Sequence, residues 1–334
     1  MSPRRSRFGT GAEFDLITRL HDFDLDLPPE VWLGPGDDGA VLEGGWVVST
    51  DLCIEDVHFR REWVTDQEIG YRAATAALSD MAAMAAVPVG LLVSMAARRG
   101  GAIDLEEVQA GIVNAANTVG AAVIGGDIST SPGPFMVDVV ALGKTASPVR
   151  RDGAKPGGQV WVTGSLGSSA AAIRVWRDGG TPPDSLRSAF VTPVARVNEA
   201  LYLAQNLSTD AMIDISDGLV GDAGHIAASS GVKIILNLPD IPIARAAIER
   251  FSRVEALEDA LTGGEDYELC FVSDPGIINP QHFLDRHGVT VTKVGSVFEG
   301  GGVWLKEEDG TLTEAVSGGF DHWAVGSRTI ESEK

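Results

Sequence analysis

Cysteine is nearly absent, with Cys53 and Cys270 the only two among 334 residues. Their separation excludes a Cys-x-x-Cys metal or redox site and a disulfide framework. Both sit in apolar surroundings that suit a small buried hydrophobe. Basic residues are scarce too: 26 Lys and Arg stand against 47 Asp and Glu, a net charge of −21. Such a chain repels nucleic acid and anionic membranes. No apolar run approaches the ~20 residues needed to span a bilayer. Arg4, Arg5 and Arg7 near the start are followed by FGTGAEFD rather than an apolar signal core, so a cytoplasmic chain is the expectation. The six histidines show no metal-ligand spacing. Gly143-Lys144-Thr145 looks like the end of a P-loop, but Asp138 stands five positions before Gly143, where that motif needs glycine.

What the chain has is an apolar content of 44%, enough for real cores, and 40 glycines clustered beside acidic residues. The length suggests two domains, divided as 1–147 and 148–334 by a Pro-, Gly- and charge-rich segment from Ser147 to Gly158. In the first half, WVVST (46–50) reads as a strand ending at Asp51. A long Ala-rich helix covers about 67–86 and a strand lies near 89–96. The spacing of Leu105, Val108, Ile112, Ala116 and Val119 predicts a helix over 105–119, with Asp104 and Glu107 as an acidic capping box. Strands near 121–124 and 135–142 follow. In the second half, strands are expected at QVWVTG, AMIDI, VKIILNL, YELCFV and VTVTKVGSV. Helices are expected from Ser165, from Thr192-Pro193 to about Asn206, and from Leu219 to Ser230, with a hairpin turn at Asp309-Gly310. The mixture favours an α+β protein of two mixed α/β domains.

The informative pattern is where the acids fall. Asp37 and Asp38 lie in GPGDDGAVL, Asp51 follows WVVST, and Asp80 interrupts the Ala-rich helix. Asp127 follows AAVIGG, Asp214 and Asp217 flank Ser216 in MIDISDGL, and Glu265 and Asp266 follow LTGG. A Gly-Asp pair alone is ordinary turn chemistry. Several carboxylates at apolar strand ends are costly unless paired or metal-bound. With few basic residues nearby, a shared divalent-cation site is the expectation, and an all-oxygen ligand set suits Mg²⁺ or Ca²⁺ rather than Zn²⁺. Ser49 and Thr50 could add hydroxyl ligands. Arg151 and Lys155 could meet a nucleotide phosphate, or simply belong to a solvated linker.

Eight segments in order resemble the thiamine-monophosphate kinase family, within the superfamily of aminoimidazole ribonucleotide synthetase and selenophosphate synthetase. They are GDD (36–38), STD (49–51), LSDMAAM (78–84), IGGD (124–127), RDGAKPG (151–157), VTGSLG (162–167), IDISDGL (213–219) and GGEDYELC (263–270). The resemblance implies an aminoimidazole ribonucleotide synthetase-like fold whose N-terminal sheet pairs with that of a second copy into a barrel, making a homodimer. It implies several Mg²⁺ ions held by Asp38, Ser49, Thr50, Asp51, Asp80, Asp127, Asp214 and Asp217. By the same resemblance, Gly126, Asp127, Arg151 and Ser216 contact ATP, while His58, Glu265 and Phe320 line a thiamine monophosphate site. Ala77, Ala85 and Ile128 depart from the family's usual Asn, Gly and Thr.

A phosphate monoester with its second pKa near ~6 is already a dianion at neutral pH, so the implied transfer needs no general base and none is expected. The alternatives are another ATP-dependent synthetase of the superfamily and a non-catalytic acidic metal-binding module.

Overall fold

The computed structural model describes residues 12–21 and 27–315. After a helix α1 (Ala12–His21), the first domain builds a six-stranded sheet. Its strands are β1 (Val31–Leu33), β2 (Ala40–Leu42), β3 (Trp46–Ile54), β4 (Val87–Ala97), β5 (Ala122–Thr130) and β6 (Met136–Lys144). They lie in the order β1-β2-β3-β6-β4-β5, antiparallel except for the β4–β5 pair. Two helices, α2 (Asp66–Ala83) and α3 (Leu105–Thr118), cover one face. The other face is open: side chains turned away from the helices are exposed or half-buried along β3 and β4 and half-buried along β6, alternating with buried ones as in a one-sided sheet.

Helix α2 starts at a reciprocal capping box. Thr65 accepts from the Glu68 N–H at 3.3 Å, and the Glu68 carboxylate accepts from the Thr65 N–H at 2.8 Å. It crosses α3 at a glycine pair: a Cβ on Gly70 would sit 1.9 Å from the Val108 carbonyl oxygen, and one on Gly111 would sit 1.8 Å from that of Gln67. Asp104 caps α3 by accepting from the N–H groups of Glu106 and Glu107, but the expected return bond from Glu107 is absent. The Asp104 N–H donates instead to Asp66, at 2.7 Å, tying the two helix starts together. Ala85, just past α2, sits at φ +49°, where a glycine would be unstrained.

The second domain has a seven-stranded sheet of β7 (Gln159–Thr163), β8 (Thr209–Asp214), β9 (Val232–Asn237), β10 (Leu269–Ser273), β11 (Val291–Glu299), β12 (Val303–Lys306) and β13 (Leu312–Glu314). Its order is β13-β12-β9-β11-β7-β10-β8, with only β9–β12 parallel. Helices α6 (Val197–Asn206), α7 (Leu219–Ser230), α9 (Arg253–Thr262) and α10 (Pro280–His287) pack on it, whereas α4 (Ser168–Arg177), α5 (Asp184–Val191) and α8 (Arg245–Arg250) carry buried residues into the first domain's core. Strand β10 is buried throughout because both faces are covered. Cys270 and Val272 face the core shared with α7 and α9, while Leu269 and Phe271 face one shared with α6 and α10. Both cysteines are free and buried. Asp309 accepts from the Thr311 N–H at 2.8 Å in the β12–β13 hairpin, as its position beside Gly310 suggested.

Helix α2 belongs to both halves. Ile69, Ala73, Ala77 and Met81 pack into the first domain's core, whereas Ala82 packs with Met212 and Phe271 of the second. A helix buried nearly all round has little use for large side chains where two domains approach, which accounts for its alanines. Several expected boundaries change. The strand expected to stop at Asp51 continues to Ile54, and Asp127 lies within β5 rather than after it. Thr192 closes α5 instead of opening α6, whose first turn follows Arg196.

Candidate active site

Three carboxylates from separate parts of the chain meet at the junction of the domains. Asp38 comes from the loop before β2, Asp80 from α2 and Asp214 from the last position of β8. Each presents an oxygen within 4.8 Å of the other two. The alternation of β3 places Ser49 on the covered face, where its hydroxyl donates to Asp80. Ser79, next along α2, donates to Asp214 at 2.7 Å. Burial raises Asp80 well above the usual carboxylate range, and the charges of Asp214, Asp38 and Asp51 raise it further. Burial, with repulsion from Asp38, pushes Asp214 up to about 8. Asp51, on the same face of β3, is pushed to about 6 by burial and then by the charges of Glu265 and Asp138. A donor set of crowded oxygens whose charged forms resist burial fits a hard divalent cation.

Arg151 approaches this group from the domain connection. Its Nε donates to Asp38 at 3.2 Å, its terminal nitrogen donates to the same carboxylate, and its main-chain N–H donates to Asp37 at 3.2 Å. This corrects the expectation that the acids lack a basic partner. Asp37 itself rises to about 7, through burial and the charge of Asp38 acting against Arg151. Lys155, by contrast, lies exposed, 3.5 Å from Asp210.

A second group adjoins the first. Asp217, Asp222 and His225 bring ligand atoms within 4.8 Å of one another. Burial, with Arg151 nearby, drops His225 to about 3, so its ring is neutral and able to ligate. Ser216 lies in this turn, but its N–H donates to Asp222 and its carbonyl accepts from Glu265. Asp222 went unread in the sequence, and His225 was read only as a lone histidine without metal-ligand spacing. Their signal was the i, i+3 spacing within the helix that opens after Asp217.

Thr50 and Asp127 are not brought into either group. Thr50 points to the open face and donates to Asp138 at 2.8 Å. Asp127 is exposed on the edge strand β5, in register with Ser94, which is in turn in register with Asp138. Gly126 lets β5 lie close, since a Cβ there would sit 1.9 Å from the Val93 oxygen.

Glu265, expected to face a cationic ring, already has a cation. It accepts from Arg72 of α2, a side chain only 3% exposed that lies 3.6 Å over the Phe190 ring and donates to the Phe190 carbonyl. His58 is adjacent, accepting from the Ile54 N–H through Nδ1 at 3.0 Å and offering its carbonyl to Arg72. Phe320 lies outside the described residues.

Residues 36–145 match the family model described as AIR synthase related protein, N-terminal domain, and residues 155–306 match its C-terminal counterpart. A thiamine-monophosphate kinase of Rhodopirellula baltica is 34% identical over 312 residues, covering 88% of this chain and 92% of the relative. The crystal structure of the thiamine-monophosphate kinase from Stenotrophomonas maltophilia superposes with a TM-score of 0.74 at 33% identity, covering 90% of this chain and 98% of that one. A structure described as AaThiL complexed with AMPPCP and TMP superposes with a TM-score of 0.79 at 29% identity, covering 94% and 97%.

Proposed function

The chain belongs to the thiamine-monophosphate kinase family, and on that premise we propose that it transfers the γ-phosphoryl group of ATP to thiamine monophosphate. The products are ADP and thiamine diphosphate. One observation carries the reading: Asp38, Asp80 and Asp214 converge from three distant segments, with Arg151 beside them. A related structure was obtained with an ATP analogue and TMP, which fits this pair of substrates.

The acceptor's terminal oxygen bonds to the γ-phosphorus while the bond from γ-phosphorus to the bridging oxygen breaks, its electron pair staying on ADP. The acceptor is already ionised, so no side chain need remove a proton. The obstacle is repulsion between two polyanions, for which two unit charges ~4 Å apart cost about 4 kcal/mol at an effective dielectric of ~20. Mg²⁺ held by Asp38, Asp80 and Asp214, with Asp217 alongside, would supply the charge that cancels this repulsion and aligns the phosphates. Ser49 and Ser79 fix the carboxylates by donating to Asp80 and Asp214. Arg151 offers a planar fork suited to a nucleotide phosphate. With its N–H engaged by Asp222, Ser216 reaches the nucleotide through its side chain. Arg72 and Glu265 form a neutral pair at the acceptor end, next to His58, and thiazolium recognition falls to aromatic faces there.

The domain division lies at 147/148, just ahead of Arg151. Trp46, Leu52, Val87, Val89 and Leu92 are exposed large hydrophobics on β3 and β4 of a one-sided sheet. Covering that face with the same face of a second copy gives the homodimer and its shared barrel, and brings Thr50, Asp127 and Asp138 to the interface.

The test is incubation with ATP, Mg²⁺ and thiamine monophosphate, with products separated by chromatography. Equal amounts of ADP and thiamine diphosphate are expected. Orthophosphate in place of thiamine diphosphate would refute the kinase reading in favour of a synthetase, and unconsumed ATP would refute an enzymatic role.

A further inference from the structure

Asp222 is buried, only 2% exposed, and carries no part of the transfer described above. One of its oxygens, Oδ2, accepts from three successive main-chain N–H groups: Ser216 at 3.1 Å, Asp217 at 3.2 Å and Gly218 at 3.1 Å. These residues form the turn that joins Asp214, at the end of β8, to α7. Asp222 lies inside α7, so the carboxylate reaches back and gathers the turn from the helix side.

The other side of the turn is held as well. Ile215 donates to the Glu268 carbonyl at 2.7 Å, and Glu265 donates to the Ser216 carbonyl at 2.8 Å. Gly218, at φ +109°, leaves no slack, because a Cβ there would lie 2.8 Å from the Thr262 carbonyl carbon. The turn is clamped between the strand that carries Asp214 and the loop that carries Glu265, and Asp222 closes the clamp.

We propose that Asp222 is a positioning residue. By collecting the three N–H groups it sets the backbone from 214 to 218, and so fixes where Asp214 and Asp217 stand relative to each other in the two acidic groups. A single oxygen meets all three N–H groups, a geometry that neither a longer side chain nor an amide group reproduces. Moving or replacing that oxygen therefore loosens the turn and spoils the relative placement of the two aspartates. The proposal deepens the functional reading, on which it rests for the identity of the site.

The experiment compares wild type with Asp222→Asn and Asp222→Glu. Asp259→Asn serves as a control, since Asp259 is also a buried carboxylate but pairs with Arg174 on α4. Amide exchange at 216–218 and calorimetric binding of Mg²⁺ with AMPPCP are measured on each, beside the melting temperature. In both Asp222 variants, exchange at those three amides rises and the Kd for Mg²⁺–AMPPCP rises, each by about tenfold. Asp259→Asn lowers the melting temperature without moving either. Faster exchange with wild-type affinity would reduce Asp222 to a structural cap and overturn the proposal, as would unchanged exchange. Should Asp222→Asn not fold, Asp222→Glu keeps the charge and displaces the oxygen, and the same two readouts decide. Wild type that binds Mg²⁺–AMPPCP but forms no thiamine diphosphate refutes the kinase reading alone; wild type that does not bind it refutes both.

Discussion

Replacing Asp80 by asparagine removes one charge from a group of three while keeping an oxygen to accept from Ser49. With ligand atoms within 4.8 Å, each ionised pair costs at least about 3.5 kcal/mol at an effective dielectric of ~20. Arg151 already offsets Asp38, so the pair that matters most is Asp80 with Asp214. Proton uptake relieves that pair at neutral pH, because Asp80 is held well above the usual carboxylate range and Asp214 up to about 8. The comparison therefore belongs at a pH above that value, in chelator, by scanning calorimetry. If about half of the pair repulsion survives solvent relaxation, Asp80→Asn gains about 1–2 kcal/mol, or roughly 3–6 °C in melting temperature for domains of this size. Adding Mg²⁺ stabilises the wild type by linkage and the variant much less, while turnover in the variant collapses. A variant that melts lower than wild type in chelator, yet responds equally to Mg²⁺, would show that Asp80 is neither crowded nor a ligand.

Three other outcomes follow from the geometry. Arg72→Met leaves Glu265 partly buried and unpaired, costing about 3–5 kcal/mol in urea denaturation, and Glu265→Gln added to it recovers part of the loss; wild-type stability in the single variant would dismiss the pair. Because Asp51 and Asp214 are raised from 3.8 to about 6 and about 8, the folded state binds more protons between those values than the unfolded state. Cation-free protein should thus lose stability as pH rises from about 4 to about 8, and a stability rising over that window would contradict the shifts. Asp104→Ala removes the cap of α3, lowering stability by about 1 kcal/mol in the same denaturation assay with turnover unchanged.

Much of this was legible in the chain because the signals are local. The periodicity over 105–119 gave α3, and the apolar run AMIDI gave β8, which stops at the acid within it, Asp214. Asp38, Asp80 and Asp214, picked out by acids breaking apolar runs, do meet. The covering face of β3 was not readable, because alternation fixes a face only once the register with α2 is known; hence Ser49 and Thr50 part company. Arg72 went unread, and the pairing of Arg151 with an acid was not foreseen, for a related reason. Their partners, Glu265 and Asp38, lie 193 and 113 residues away in sequence, and composition gives no hint of such pairing. Asp222 escaped notice since a carboxylate inside a helix looks solvated until the turn it grips is seen.

The most direct test of the central claim is a count of bound Mn²⁺ by electron paramagnetic resonance, with AMPPCP present, in wild type, Asp80→Asn and Asp214→Asn. The account predicts that each substitution removes at least one bound ion or weakens it severely. Identical stoichiometry and affinity in all three proteins would contradict it.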